Sequence, residues 1–348
     1  MAVTRADVAA LAGVSPAVVS YVINGGPRPV SDRARRRVES AIEELGYRPN
    51  AIASALRGGR TRSIGLLTPS PRNPFFAEMA EALVIELFQR GNTLSIGITD
   101  DDPSRETLYL RSFLDRRVDG LIVTSARAMA TVDRLRPGGV PAVVIDRVSD
   151  NDGDAQSVSS VHIENEHAAA YAVEHLQDHG HHTIACIAGP WPVALSAERI
   201  AGWRAQLQRA GADSSNALIE HAEFSEAGGR EAALALLGDE SRRGSSGAPA
   251  PTAIFVASDA QAFGAIVACH ELGLRVPEDV AIVAIDGTAA GRFAQPSLTS
   301  FRQPIVDMAR LAVSTLLEHI HAPDLAPVHS VLRGNLVIGR SCGCEPDY

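Results

Sequence analysis

Lysine is absent from this 348-residue chain; all 32 basic residues are arginine. A phosphate loop that sets a lysine on its nucleotide is therefore excluded. No Gly-x-Ser-x-Gly elbow marks a hydrolase either. Long apolar runs are also missing, since nothing approaches the roughly 18 residues a membrane span needs. The opening MAVTRADVAALAG carries no basic-then-apolar signal segment. Cysteine is scarce, four in all, which fits a reducing compartment and gives cytoplasmic location as the expectation. Cys342 and Cys344 form a lone Cys-x-Cys, while His175, His179, His181 and His182 end a helix. The cysteine pair lacks partners at ligand spacing, and helix C-terminal charge with a solvated loop accounts for the histidines, so no metal and no cofactor is expected.

The net charge of −9 argues superficially against nucleic acid. Splitting the chain reverses that. Residues 1–60 hold nine Arg against five Asp and Glu, a balance of +4, and the remainder stands at −13. A basic head on an acidic body fits a DNA-binding module joined to something that is not one.

Within the head, Asp7 to Ser20 reads as two short helices joined by a tight turn. Thr4 and Asp7 have the spacing of a capping box. Gly13 sits where the chain must reverse, and Ser15 caps a second helix that starts with Pro16. Small Ala9, turn Gly13 and apolar Val19 let two helices cross closely, as in a helix-turn-helix whose second helix enters the DNA major groove. The plain alternative is an αα-corner in some helical domain. A third helix from Ser31, with Val38, Ile42 and Leu45 on one face, is enough to close a three-helix unit.

From Thr61 onward, short apolar strands alternate with amphipathic helices. SIGLLT, TLSIGI, DGLIVT and PAVVID form one series; TIACIA, a strand near Leu218, TAIFVA and VAIVAI form another. That alternation predicts α/β architecture with parallel sheets. Gly238 to Pro251 reads as an insertion rich in Ser, Gly and Pro. In open parallel sheets ligands bind beyond the carboxyl ends of the strands. Those ends carry Asn73 and Phe75, Asp146, Trp191, Ser258 and Asp259, and Asp286. Carboxylates and flat aromatic faces suit a polyol or sugar ring. Asp259 reads instead as a cap of the following helix, and Trp191 has packing between lobes as its competing role.

VSPAVVSYVIN, PVS and AIEELGYRPNAIASALR, followed by NPFF, VDGLIV, PAVVIDR, ERIAGW and LRVPEDVAIVAIDG in that order, resemble the lactose/galactose-repressor family of bacterial transcription regulators. The resemblance implies a helix-turn-helix head at 1–48, a hinge helix and linker at 49–60, and an effector-binding, dimerising core at 61–348. That core is similar to periplasmic binding proteins, with one lobe at about 61–160 and 290–322 and the other at about 161–289 and 323–348. It also implies a homodimer, a pseudo-palindromic double-stranded operator, and a small-molecule effector, a carbohydrate by preference, with nucleosides or purines as the alternative. No membrane partner is implied.

Base-reading positions are Pro16, Ala17, Ser20 and Tyr21. Phosphate contacts are Thr4, Arg5, Ser15, Asn24, Ser31 and Arg33, which position the head without reading sequence. Tyr21 stands where many relatives carry Arg, and tyrosine cannot grip guanine bidentately; packing on the third helix is its other reading. The hinge contributes Asn50, Ala53, Leu56 and Arg57, with Leu56 at the place of a minor-groove wedge. For the effector, the resemblance adds Asp146, Arg199, Phe224 and Asp286: the arginine anchors hydroxyls or a carboxylate, the phenyl ring stacks, and the acids accept hydrogen bonds. The chain departs from the family pattern at Ser258 and at Glu164-Asn165. Two other classes compete. An exported sugar-binding protein needs a signal segment, and an enzyme using Asp146 and Asp286 as an acid/base pair finds no other support in the sequence. No catalytic residue is expected.

Overall fold

The computed structural model describes residues 3–24, 29–47, 60–124, 139–146, 158–215, 218–238 and 250–346. The hinge segment with Asn50, Ala53, Leu56 and Arg57 and most of the 238–251 insertion lie outside them. Contacts divide the chain into two units, 1–61 and 62–348.

The first unit holds three helices: α1 Arg5–Ala12, α2 Pro16–Asn24 and α3 Asp32–Leu45. Thr4 caps α1 through a complete capping box with Asp7, and Gly13 ends it in the left-handed conformation at φ +60°. Ser15 Oγ accepts from Val18 N at 3.3 Å at the start of α2. The chain bends by 104° between α1 and α2, within the range of helix-turn-helix units. Val8, Ala9, Ala12, Val19, Val38, Ala41 and Tyr47 form its buried core.

The second unit has two six-stranded sheets. The first contains β1 Ser63–Thr68, β2 Thr93–Ile98, β3 Gly120–Val123, β4 Ala142–Ile145, β5 Ser159–Ile163 and β11 His329–Leu332, in the order β11-β5-β4-β3-β1-β2. All its pairings are parallel. The second contains β6 Ile184–Ala188, β7 Ile219–His221, β8 Ala253–Val256, β9 Ala281–Asp286, β10 Thr299–Arg302 and β12 Asn335–Val337, in the order β12-β10-β9-β8-β6-β7. Only β12 runs antiparallel to its neighbour. Strands β6, β8 and β9 are buried along their whole length, as continuous apolar runs between two helical layers must be. The helices are α4 Pro74–Gln89 and α5 Pro103–Asp115 in the first lobe, then α6 Asn165–Asp178, α7 Ala194–Arg209, α8 Glu226–Gly238 and α9 Asp259–Glu271 in the second, and α10 Ile305–His321. Among the described residues no single helix is long and apolar enough to cross a membrane.

The chain crosses between lobes three times, and the crossings differ from the expected boundaries. Strand β5 is the fifth strand laid into the first sheet, and the chain leaves after it at 164. Strand β10 pairs with β9 in the second sheet, so the return comes after 302 rather than at 290. Helix α10 then packs on α4, β3, β4 and β5 of the first lobe. The chain stays there through β11 and crosses finally to β12. Short β11 and β12 alternate or lack burial, so their sequences carry little strand signal. After β12 the tail returns against the end of α6. It brings Cys342 and Cys344 beside His175 and His179, two groups that sequence spacing leaves apart and without partners.

Candidate functional site

In the head, Pro16 and Ala17 are exposed at the start of α2, whereas Ser20 and Tyr21 are half-buried. Arg5 Nη1 donates to Ser20 Oγ at 3.5 Å, tying α1 to α2. Thr4, Ser15 and Ser31 cap the three helices. They therefore sit at helix N-termini, where backbone amides favour a phosphate. Arg33 is exposed in the first turn of α3, and Asn24 is the last residue of α2.

In the core, a cleft of about 230 Å³ lies at the carboxyl ends of both sheets. Each sheet reverses its strand order there, between β1 and β3 and between β6 and β8, which is where such sheets leave a crevice. Asn73 and Phe75 reach the cleft from the start of α4, Asp146 from the end of β4, and Arg199 from α7. Phe224, Ser258 and Asp286 complete it from behind β7, β8 and β9. Phe76 and Leu195 also line it. Phe76 belongs to the NPFF run, but Leu195 has no polar signal in the sequence. Trp191 is not brought in. It is 70% exposed and stands edge-on to His221 with ring centroids 6.0 Å apart.

The charged groups are buried and oriented. Arg199 Nε donates to Asn165 Oδ1 at 2.9 Å, and Nη1 donates to the Ala257 carbonyl. Asn165 Nδ2 donates in turn to Glu198 Oε2 at 3.0 Å. Asn165 is thus a positioning residue, whose only signal in the sequence was the departure at Glu164-Asn165. The remaining Arg199 nitrogen, Nη2, lies 3.9 Å from Asp146 Oδ1, and neither atom has a hydrogen-bond partner. Asp146 and Asp286 both adopt positive φ, +70° and +123°. Strained backbone of this kind costs about 1–3 kcal/mol per residue and clusters at ligand clamps.

Asp286 Oδ1 accepts from Gln303 Nε2 at 3.0 Å and Oδ2 accepts from Asp259 N at 3.3 Å. Burial, and then the neighbouring Asp259 carboxylate, hold its carboxyl well above the usual carboxylate range; Arg199 pulls the other way. Asp259 is raised by burial too, but Ser300 Oγ at 2.6 Å and Thr288 N and Oγ1, each at 2.7 Å, donate to its charged form. Asp259 therefore does not cap its own helix, as its position suggests. Ser258 does, accepting from Gln261 N at 3.3 Å, and its hydroxyl proton goes to Gln261 Oε1 at 3.0 Å.

Hydrogen bonds cross between the lobes among the described residues. Asn73 Nδ2 donates to the Phe224 carbonyl at 3.3 Å, and Ala289 N donates to Glu78 Oε1 at 2.8 Å. The Phe224 ring lies over Gly189, where a Cβ would come within 2.1 Å of Cζ. The lobes thus meet over the cleft, with Arg199 and Asp146 beneath.

Comparison with known proteins accords with this arrangement. Residues 4–50 match the model described as bacterial regulatory proteins, lacI family, and residues 173–342 match the periplasmic binding protein-like domain. The ribose operon repressor of Escherichia coli (strain K12) is 34% identical over 92% of this chain and 94% of its own length. The HTH-type transcriptional repressor PurR of Klebsiella pneumoniae (strain 342) is also 34% identical, over 91% and 90%. Among solved structures, the Lac repressor dimer bound to operator and an anti-inducer superposes with a TM-score of 0.83 at 29% identity, covering 98% of this chain and 99% of that one. The complex of the transcriptional regulator CelR with cellobiose gives 0.73 at 31%, covering 97% and 99%. With a head and a two-lobed core that both match along nearly the whole length, the chain belongs to the LacI family of DNA-binding transcription regulators controlled by small-molecule effectors.

Proposed function

We propose that this chain is a homodimeric repressor of genes for sugar uptake or catabolism, and that its effector is a sugar or polyol held between the lobes. The observation that carries the effector reading is the pair Arg199 Nη2 and Asp146 Oδ1, buried, 3.9 Å apart and otherwise unpartnered. A hydroxyl between them accepts from the guanidinium and donates to the carboxylate, satisfying both. Phe75, Phe76 and Phe224 supply apolar faces for the ring's C–H surface.

The head reads a pseudo-palindrome through α2, with Pro16, Ala17, Ser20 and Tyr21 toward the bases and the capped helix starts on phosphates. Dimerisation uses the apolar surface that the first lobe leaves exposed: Val84, Ile85 and Phe88 on α4, and Ile96 and Ile98 on the sheet-edge strand β2. Exposed apolar surface on neighbouring elements marks an interaction face. Opening the lobes breaks the bonds from Asn73 and Glu78, and effector binding keeps them, which gives the ligand differential affinity for one lobe angle.

Calorimetric titration of the full-length protein with pentoses, hexoses, polyols, disaccharides and nucleobases tests the effector class. Saturable heat with a sugar or polyol supports the reading, and binding confined to nucleobases overturns it. Selection of sites from random DNA gives a two-fold symmetric sequence if the dimeric reading holds.

A further inference from the structure

We infer that His175, His179, Cys342 and Cys344 form a structural, tetrahedral site for Zn²⁺ in the second lobe, apart from the effector cleft. One ligand atom from each of the four residues lies within 4.8 Å of every other. Cys344 Sγ is 3.1 Å from His179 Nε2 and 3.8 Å from His175 Nε2. The two imidazole centroids are 4.8 Å apart. A zinc ion with sulfur at about 2.3 Å and nitrogen at about 2.0–2.1 Å places its ligands roughly 3.3–3.8 Å from one another. The cluster therefore needs to contract by about 1.5 Å at most, within reach of side-chain rotation.

The local structure explains why these four residues meet. His175 and His179 are four apart at the end of α6, so they share a helix face, in the His-x3-His spacing common at zinc sites. Cys342 and Cys344 are one residue closer than the usual pair, and Gly343 between them takes φ +95° with nothing within 4 Å of a Cβ position. That turn lets buried Cys342 and half-buried Cys344 face α6 together.

An outer shell is also in place. Thr299 Oγ1 lies 3.0 Å from Cys342 Sγ, so its hydroxyl proton can turn to the thiolate, and Gly339 N donates to the same hydroxyl at 2.9 Å. Such second-layer contacts orient metal ligands. Two thiolates and two imidazoles at a tetrahedral position select zinc among the available divalent ions. On binding, both thiols lose their protons to solvent and the imidazoles bind neutral. Four protein ligands leave no open position, so the ion is structural. It ties the last residues of the chain to the far end of α6, whose first residue, Asn165, holds Arg199.

The test uses full-length protein, reduced and stripped with a chelator, titrated with Co²⁺ and then with Zn²⁺. Expected are one cobalt per chain, the intense visible bands of a tetrahedral site, near-ultraviolet thiolate-to-cobalt charge transfer, and loss of both signals as zinc displaces cobalt. Cys344→Ser should lose most of the charge transfer, and His179→Asn, at an exposed position, should lose stoichiometric binding. His182→Ala, nearby but outside the cluster, should behave as the unaltered chain. Zinc should raise the unfolding temperature of the unaltered chain and leave that of Cys344→Ser unmoved. Weak octahedral spectra, no charge transfer, or spectra unchanged in both cluster variants overturn the assignment.

Discussion

Arg199 Nη2 and Asp146 Oδ1 face each other at 3.9 Å, both buried and neither hydrogen-bonded. A purely structural ion pair in such a place closes to hydrogen-bond distance, because the cost of burying two charges is recovered only through close, satisfied geometry. Here Asn165 and the Ala257 carbonyl hold the other guanidinium nitrogens, and the last one is left aimed at the carboxylate. Asp146→Asn removes the charge while keeping the shape. A hydrogen bond to a charged group is worth about 1.5–3 kcal/mol, so effector affinity should fall about ten- to a hundredfold by calorimetry. Operator affinity without effector should stay near that of the unaltered chain. Unchanged effector affinity with lowered core stability would show that the pair is structural.

Gly189 sets the position of the Phe224 ring. A methyl group there would lie 2.1 Å from Phe224 Cζ and 2.3 Å from Ser196 Oγ. Gly189→Ala should therefore displace the ring and the Phe224 carbonyl that accepts from Asn73. Effector affinity should drop at least about tenfold, the equivalent of about 1.4 kcal/mol, while the core still unfolds cooperatively. An alanine variant that binds effector normally would remove Phe224 from the site.

Much of this was legible in the residues. Local rules reached the head, because a capping box, a left-handed glycine and a proline at the first helical position all act within a few residues. They also reached the cleft, because parallel strands put their chemistry at one end: seven of the eight expected effector residues line one cavity. What escaped was long-range. The crossing after 302 depends on a pairing of β10 with β9, and the approach of Cys344 to His179 joins residues far apart in sequence. Trp191 stays outside the cleft for the opposite reason, since its place in a strand-end loop said nothing of where its ring would turn.

The turn in the head offers a third prediction. Gly13 has φ +60°, a region that costs an L-residue about 1–2 kcal/mol, and a methyl group would also press on the Arg37 guanidinium at 2.2 Å. Arg37 can move away, but the backbone strain cannot be relieved. Gly13→Ala should loosen the three-helix unit and weaken operator binding roughly five- to thirtyfold, with effector binding to the core unchanged. Circular dichroism of the isolated melting phase and operator titration check it together.

Leu56 carries the hinge reading, which comes from the sequence alone. Leu56→Ala should reduce operator affinity strongly and leave the effector titration as it was. Equal losses in both would end the assignment.

Asp286 links the cleft to pH. Its folded carboxyl titrates well above the ordinary value of 3.8, first through burial and then through Asp259. Between those two values the folded chain holds a proton that the unfolded chain releases, so stability falls as pH rises, by about 1.4 kcal/mol per pH unit for this one group. Below the ordinary value both states are protonated and the effect is gone; above the raised value both are ionised and the penalty is constant. Asp286→Asn keeps the acceptor toward Gln303 but removes the titration. Its denaturant midpoint should therefore be higher than that of the unaltered chain at neutral pH, and its decline from about pH 4 upward should be shallower. If the variant instead shows the same slope as the unaltered chain, Asp286 is ionised throughout and the buried proton sits elsewhere, with Asp259 the next group to replace.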